Sequence, residues 1–244
     1  MKVVAIIEVR MKSTRLPGKN LRPILGKPML EMLVERLRHA KTLDGVVVAT
    51  TSDPSDDAIE ETCNRIGVGC YRGSMDDVLD RVMRAAQTFG AEAIVEITGD
   101  CPLTDPAIVD EIVNKYRSCG CDYVGNMRPS TYPVGLAVQV FATSVLEETD
   151  RLTQDPADRE HVSLYIYEHP ERFSLRNVES GLPEKYRSYR LTVDTPEDFA
   201  LVSAVFEALY PTNPAFGLPE ILDFIDSKPE LLDLNRSVQQ KAAR

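Results

Sequence analysis

The chain has 244 residues, 43% of them hydrophobic, enough to bury one large core or two small ones. With 38 acidic against 28 basic side chains its formal net charge is −10, which argues against general nucleic-acid binding, because that depends on a basic surface that neutralises phosphates. The apolar run in "MKVVAIIEVR" is too short for a signal peptide, and no stretch approaches the ~18 apolar residues of a membrane span, so a cytosolic protein is expected.

"VVAII" at 3–7 is a continuous apolar run of strand length, of the kind buried on both faces of a parallel sheet. A polar loop follows it. Five cations, Arg10, Lys12, Arg15, Lys19 and Arg22, crowd into these first residues of an acidic protein. From Pro28, suited to a first helical turn, Leu30, Leu33, Val34 and Leu37 recur at helical spacing. "GVVVATT" at 45–51 reads as a second strand. The helix around Ile59, Cys63 and Ile66 stops at Gly67, and "GCYRG" is a short third strand.

Leu79, Val82, Met83 and Ala86 share one face of a further helix that ends near Gly90 and hands over to "AIVEIT" at 93–98. Strands separated by helices imply a mostly parallel sheet covered on both faces, with ligands bound beyond the carboxyl ends of the strands. The basic loop at 9–19 and "GDCPLTDP" at 99–106 both sit at such ends and should face one crevice. After a helix carrying Val109, Ile112, Val113 and Tyr116, strict alternation is lost. "DYVGN" and "TYPVGLAVQVF" predict an inserted or edge β-segment, followed by a helix opened by capping-box spacing from Ser144 to Glu147. "FSLRNV" at 173–178 and "YRLTV" at 189–193 read as late strands, and Thr195, Pro196 and Glu197 announce a last helix with Phe199, Val202, Val205, Phe206 and Leu209 toward the core. No repeat, low-complexity run or linker interrupts the chain, so residues 1–244 are expected to form a single domain. The five cysteines lack metal-ligand spacing and read as reduced thiols.

The opening loop combines its cations with Ser13, Thr14 and Gly18 just behind a buried strand, as a triphosphate cradle requires: arginines offer forked donors, lysine a point charge and hydroxyls further donors. It is neither GxGxxG nor GxxxxGK[ST], so neither a dinucleotide fold nor a Walker ATPase is supported, and a solvated basic turn has the same charge pattern. Asp100 in "TGDCP" and Asp194 in "TVDTPED" each follow an apolar strand, where a carboxylate can hold a divalent cation against phosphates; each also suits a helix N-cap or turn.

Arg10-x-x-Ser13-Thr14-Arg15-Leu16-Pro17-x-Lys19, "GKPMLE" at 26–31, "RGSMDDVLDR" at 72–81, "ITGDCPL" at 97–103, "TYPVGL" at 131–136, "REHV" at 159–162 and "TVDTPEDF" at 192–199 resemble the cytidylyltransferases of the spore coat polysaccharide biosynthesis protein F type, relatives of the CMP-KDO and CMP-sialic acid synthetases. The likeness runs nearly end to end. It implies a three-layer αβα, Rossmann-like nucleotidyltransferase fold, usually dimeric, that transfers CMP from CTP to an acidic sugar or related anionic acceptor and releases pyrophosphate. It further implies that Arg10, Ser13, Arg15 and Lys19 bind the triphosphate, with Lys19, Arg15 and Asp100 catalytic, that Arg72 and Ser74 lie near the cytosine, and that Asp100 and Asp194 hold Mg²⁺. No dedicated general base is visible. Where the relatives commonly read "YPRGLDVEVF", this chain reads "YPVGLAVQVF". Period 2 puts Ala137 and Gln139 on one strand face, so with His161 they are candidate acceptor-pocket residues, or that face is a dimer contact within a subregion of about 125–190. A GT-A glycosyltransferase and a non-catalytic relative are the alternatives; the lack of a DxD at a strand end counts against the first, and the retained Lys19, Asp100 and Asp194 against the second.

Overall fold

The fold is that of a computed structural model, which describes residues 1–240. In chain order its elements are β1 (Val3–Glu8), β2 (Pro23–Ile24), β3 (Lys27–Pro28), α1 (Met29–Leu37), β4 (Gly45–Thr51), α2 (Asp57–Ile66), β5 (Gly69–Gly73), α3 (Val78–Phe89), β6 (Ala93–Thr98), α4 (Pro106–Cys119), β7 (Tyr123–Gly125), β8 (Gln139–Ala142), α5 (Thr143–Leu152), α6 (Pro156–Glu160), α7 (Leu164–Glu168), β9 (Leu175–Asn177), α8 (Pro196–Leu209) and α9 (Leu218–Ser227). The central sheet has seven strands in the order β5-β4-β1-β6-β8-β7-β9. β5, β4, β1 and β6 run parallel, whereas β8 runs against both β6 and β7.

The continuous apolar strands are explained by burial on two sides. Along β1, Val3, Ala5 and Ile7 pack with α1, α2, α4, α8 and α9, while Val4 and Ile6 face α3, α5 and α7. One residue of register therefore decides which layer a side chain joins. The result is a three-layer αβα, Rossmann-like architecture. Helix ends follow their sequence signals: Gly67 and Gly90 close α2 and α3 in the left-handed conformation, and Thr195 opens α8 with a capping box to Asp198.

Three expectations are corrected. The strand expected over 131–141 is formed only from Gln139, because Gly135 adopts φ +104° and Val134 instead makes an isolated bridge to Arg190. For the same reason 189–193 is not a strand; its one ladder contact is that bridge. Helix α5 starts at Thr143 after Ala142, with no side-chain cap, so Ser144 lies inside the first turn and the capping box with Glu147 is not made. The cysteines are free thiols, Cys63 and Cys101 among them buried.

β1 sits in the middle of the sheet. The chain proceeds from it to β4 and β5 on one side and then returns to β6 on the other. Between β1 and β6 lies the topological switch point, where the loops beyond the strand ends part and leave a crevice.

Candidate functional site

A pocket of about 470 Å³ opens at that switch point. Its walls come from the loop after β1 (Arg10, Lys12, Ser13, Thr14, Arg15), from the turn that follows (Lys19, Asn20), from the end of β6 (Thr98, Gly99, Asp100), and from Asp194; Glu8, Val78, Arg81, Glu160, His161 and Gln240 complete it.

Two glycines bring the walls together. Gly18, at φ +70°, turns the chain so that its amide donates to the Met11 carbonyl and closes the basic loop on itself, and Lys19 enters a short 3-10 turn pointing inward. Gly99 donates its amide to Glu8 O at 3.0 Å, and an added Cβ there would stand 2.2 Å from Val9 Cγ1. Only a residue without a side chain lets the two strand-end loops approach this closely.

Lys19 is the hub. Its Nζ donates to Val193 O at 2.7 Å, Asp100 Oδ2 at 3.1 Å and Asp194 Oδ1 at 3.2 Å, so all three ammonium protons are spent on protein acceptors. The two aspartates singled out in the sequence, 94 positions apart by their numbers, thus meet on one cation. Asp194 is held further by Arg15 NH2 at 2.8 Å and Arg190 NH2 at 2.7 Å. Burial alone would raise its carboxyl, but Lys19, Arg190 and Arg15 outweigh that and keep it below the usual carboxylate range. Its backbone is fixed as well, since Asp198, fully buried, accepts from the amides of Asp194 and Thr195.

Arg190 and Asp198 were not anticipated. Arg190 donates Nε to Asp198 Oδ1 at 2.8 Å and NH2 to Asp198 Oδ2 at 3.1 Å. The i, i+4, i+8 spacing of Arg190, Asp194 and Asp198 was the available signal, but it straddles a helix start and so does not read as one helical face. Glu8 also escaped notice. It ends β1 and lines the pocket next to the strand that carries buried Glu96; burial and the neighbouring Glu96 charge push its carboxyl well up, and burial pushes Glu96 up to about 7. One Glu96 oxygen and Nε of the buried Arg81 have no partner among the described residues.

Other candidates lie elsewhere. Arg72, expected beside the base, is committed to Asp57 at 2.6 Å, Glu60 at 2.9 Å and the carbonyls of Thr51 and Asp53, because its strand β5 runs alongside α2. Ser74 is exposed and caps the Asp77 amide. Neither lines the pocket; from that segment Val78 and Arg81 do. Gln139 is buried within the sheet, where its side-chain carbonyl accepts from Tyr123 at 2.6 Å and Ser163 at 2.8 Å, and Ala137 precedes the strand; neither reaches the pocket. His161 does reach it, exposed, beside Glu160, which pairs with Arg10 at 3.6 Å.

The cytidylyltransferase family model matches residues 4–230. The chain belongs to the cytidylyltransferase family. It is therefore a CTP-dependent nucleotidyltransferase rather than a GT-A glycosyltransferase. It is 32% identical over 235 residues to the spore coat polysaccharide biosynthesis protein SpsF of Bacillus subtilis, spanning 93% of this chain and 95% of that one. A cytidylyltransferase structure from Leptospira borgpetersenii superposes with a TM-score of 0.89 at 33% identity over 99% of both chains. A CMP:2-keto-3-deoxy-manno-octonic acid synthetase solved with CTP shares the fold, with a TM-score of 0.66 and 21% identity over 85% of this chain and 99% of that one. Among the described residues no helix is long and apolar enough to cross a membrane.

Proposed function

We propose that the switch-point pocket binds CTP through its triphosphate, and that the enzyme transfers CMP to an acidic sugar or a related anionic acceptor. The observation that carries this reading is the convergence of Asp100 and Asp194 on the Lys19 ammonium inside a pocket rimmed by Arg10, Lys12, Ser13 and Arg15. A polyanion needs that rim, and the paired carboxylates need a cation.

The donor set fits a divalent metal. Two hard carboxylates already share a positive charge, and since the described residues hold no cluster of three or more potential ligands, phosphate oxygens and water would complete the coordination, as Mg²⁺ prefers. Asp100 and Asp194 would hold the ion, Mg²⁺ in this reading, and its chemistry there is neutralisation of charge on the phosphates. Lys19 can reach a phosphate only by releasing one of its three acceptors, so nucleotide and aspartates compete for its protons. Arg15 and Arg10 bind the outer phosphates and offset the charge that builds on the leaving pyrophosphate as an acceptor oxygen attacks the α-phosphate in line. Arg81 and His161, which also line the pocket, would supply positive and hydrogen-bonding groups for an anionic acceptor.

The proposal extends to a homodimer joined through the segment of about 125–190, supported by its edge strand β9 and by the exposure of Met127. Pyrophosphate release tests the reaction directly: CTP with Mg²⁺ and a panel of acidic sugars should give product with at least one acceptor. Equal release from all four ribonucleoside triphosphates, or none from CTP with any anionic acceptor, would count against the reading.

A further inference from the structure

Arg190 is the cation that joins this site without lining it. Its guanidinium is buried, and Nε and NH2 are spent on Asp198 and Asp194, so NH1 is the nitrogen left to face elsewhere. NH1 donates to the side-chain oxygen of Gln240, and it is Gln240 that lines the pocket at this point. One residue earlier, the Gln239 carbonyl accepts from NH1 of Arg15 at 3.5 Å, while NH2 of Arg15 is occupied by Asp194. Neutral oxygens of two adjacent residues thus cap the outward donors of two arginines that share one carboxylate. The segment is anchored just before them: buried Asn235 donates Nδ2 to Arg190 O at 3.0 Å and to Asp198 Oδ1 at 2.9 Å.

We propose that Arg190 is a further phosphate-binding residue of this site, and that Gln239 and Gln240 occupy arginine donors which the nucleotide's phosphates take over. The inference rests on the reading of the pocket as the CTP site. The exchange is downhill because a phosphate oxygen brings a negative charge of its own to the guanidinium, where the glutamine oxygens are neutral acceptors, and because the planar guanidinium suits bidentate phosphate geometry. Asn235 keeps the segment beside the pocket, so displacement leaves the chain up to Asn235 in place.

Two substitutions at Gln240 separate covering from building. Gln240→Ala removes the competing oxygen and should lower the KM for CTP about tenfold, the low end of the worth of one hydrogen bond to a charged group. Gln240→Glu gives Arg190 a charged partner that also repels phosphate, and should raise that KM by about tenfold. In both variants kcat should move less than KM, and calorimetric affinity for inorganic tripolyphosphate should follow the same order. If Gln240→Ala raises KM, or the two variants bind tripolyphosphate as wild type does, the proposal is overturned while the CTP site stands. If wild type binds neither CTP nor tripolyphosphate, the site reading falls and this inference falls with it.

Discussion

Lys19 carries opposite duties, neutralising two carboxylates within the fold and serving a polyanion in the reaction. Lys19→Ala should lower kcat/KM for CTP by about a hundredfold or more, the scale of one charged transition-state contact. It should also cost about 1–3 kcal/mol in stability, since Asp100 and Asp194 lose their shared donor; paired kinetics and thermal melts would read both, and unchanged CTP kinetics would remove Lys19 from the site. Asp100→Asn and Asp194→Asn should each suppress metal-dependent turnover, with a double variant little worse than either single one because they act as a unit. Full activity in Asp194→Asn would make Asp194 only the residue before a helix start. The acids also divide by their response to pH. Asp194, held below the usual range, contributes stability that is present near neutrality and lost on acidification. Glu96 does the reverse: its carboxyl, pushed from 4.5 to about 7, binds more protons folded than unfolded, so its contribution decays as pH rises from about 4.5 through about 7. Glu96→Gln should therefore raise stability at pH 8 by about 1–3 kcal/mol and leave it nearly unchanged at pH 4.5; denaturant melts at the two pH values check this, and an equal effect at both would contradict it.

At the scale of elements, the site depends on how closely the end of β1 meets the end of β6. Gly99→Ala would drive a Cβ into Val9 and press on Glu8 O, so it should cost about 1–3 kcal/mol and weaken CTP binding as well. A variant that melts and binds like wild type would mean the loops have slack. The capping box that opens α8 fixes Asp194 from the other side, and Thr195→Ala should cost about 1 kcal/mol by melting. These elements were legible in the sequence because local chemistry dictates them: apolar runs for β1, β4 and β6, a left-handed Gly after α2 and α3, and Thr-Pro-Glu before α8. Asp100 was legible for a related reason, since a polar residue just past the buried strand β6 has few places to go but the crevice, whereas Lys19 and Asp194 stood out through the charged motifs around them. What was hidden depended on contacts between distant segments. Nothing local says that Val134 bridges Arg190 and so delays β8 to Gln139, or that Arg72 finds Asp57 and Glu60 before it can find a base. Gln139 follows apolar positions in alternation, but whether its face meets a pocket or the buried Tyr123 and Ser163 is decided by the helices laid over the sheet.

For the whole molecule, the acidic net charge and the basic pocket are two parts of one design. A chain at −10 repels polyanions in general, so the cations of residues 10–19 are concentrated at the switch point, where parallel strands end and backbone from three stretches of sequence converges. A ligand that joins those stretches should stabilise the folded chain as a unit: CTP with Mg²⁺ at a hundred times its Kd is worth about 2.7 kcal/mol and should raise the melting temperature by a few degrees. The most direct measurement of the central claim is a crystal structure of the chain with CTP and a divalent cation. The account predicts the triphosphate in the pocket between the loops after β1 and β6, with Arg15 and Lys19 on phosphate oxygens and the cation on Asp100 and Asp194. A nucleotide bound elsewhere, or bound here with the Lys19 contacts to both aspartates intact and no metal between them, would contradict it.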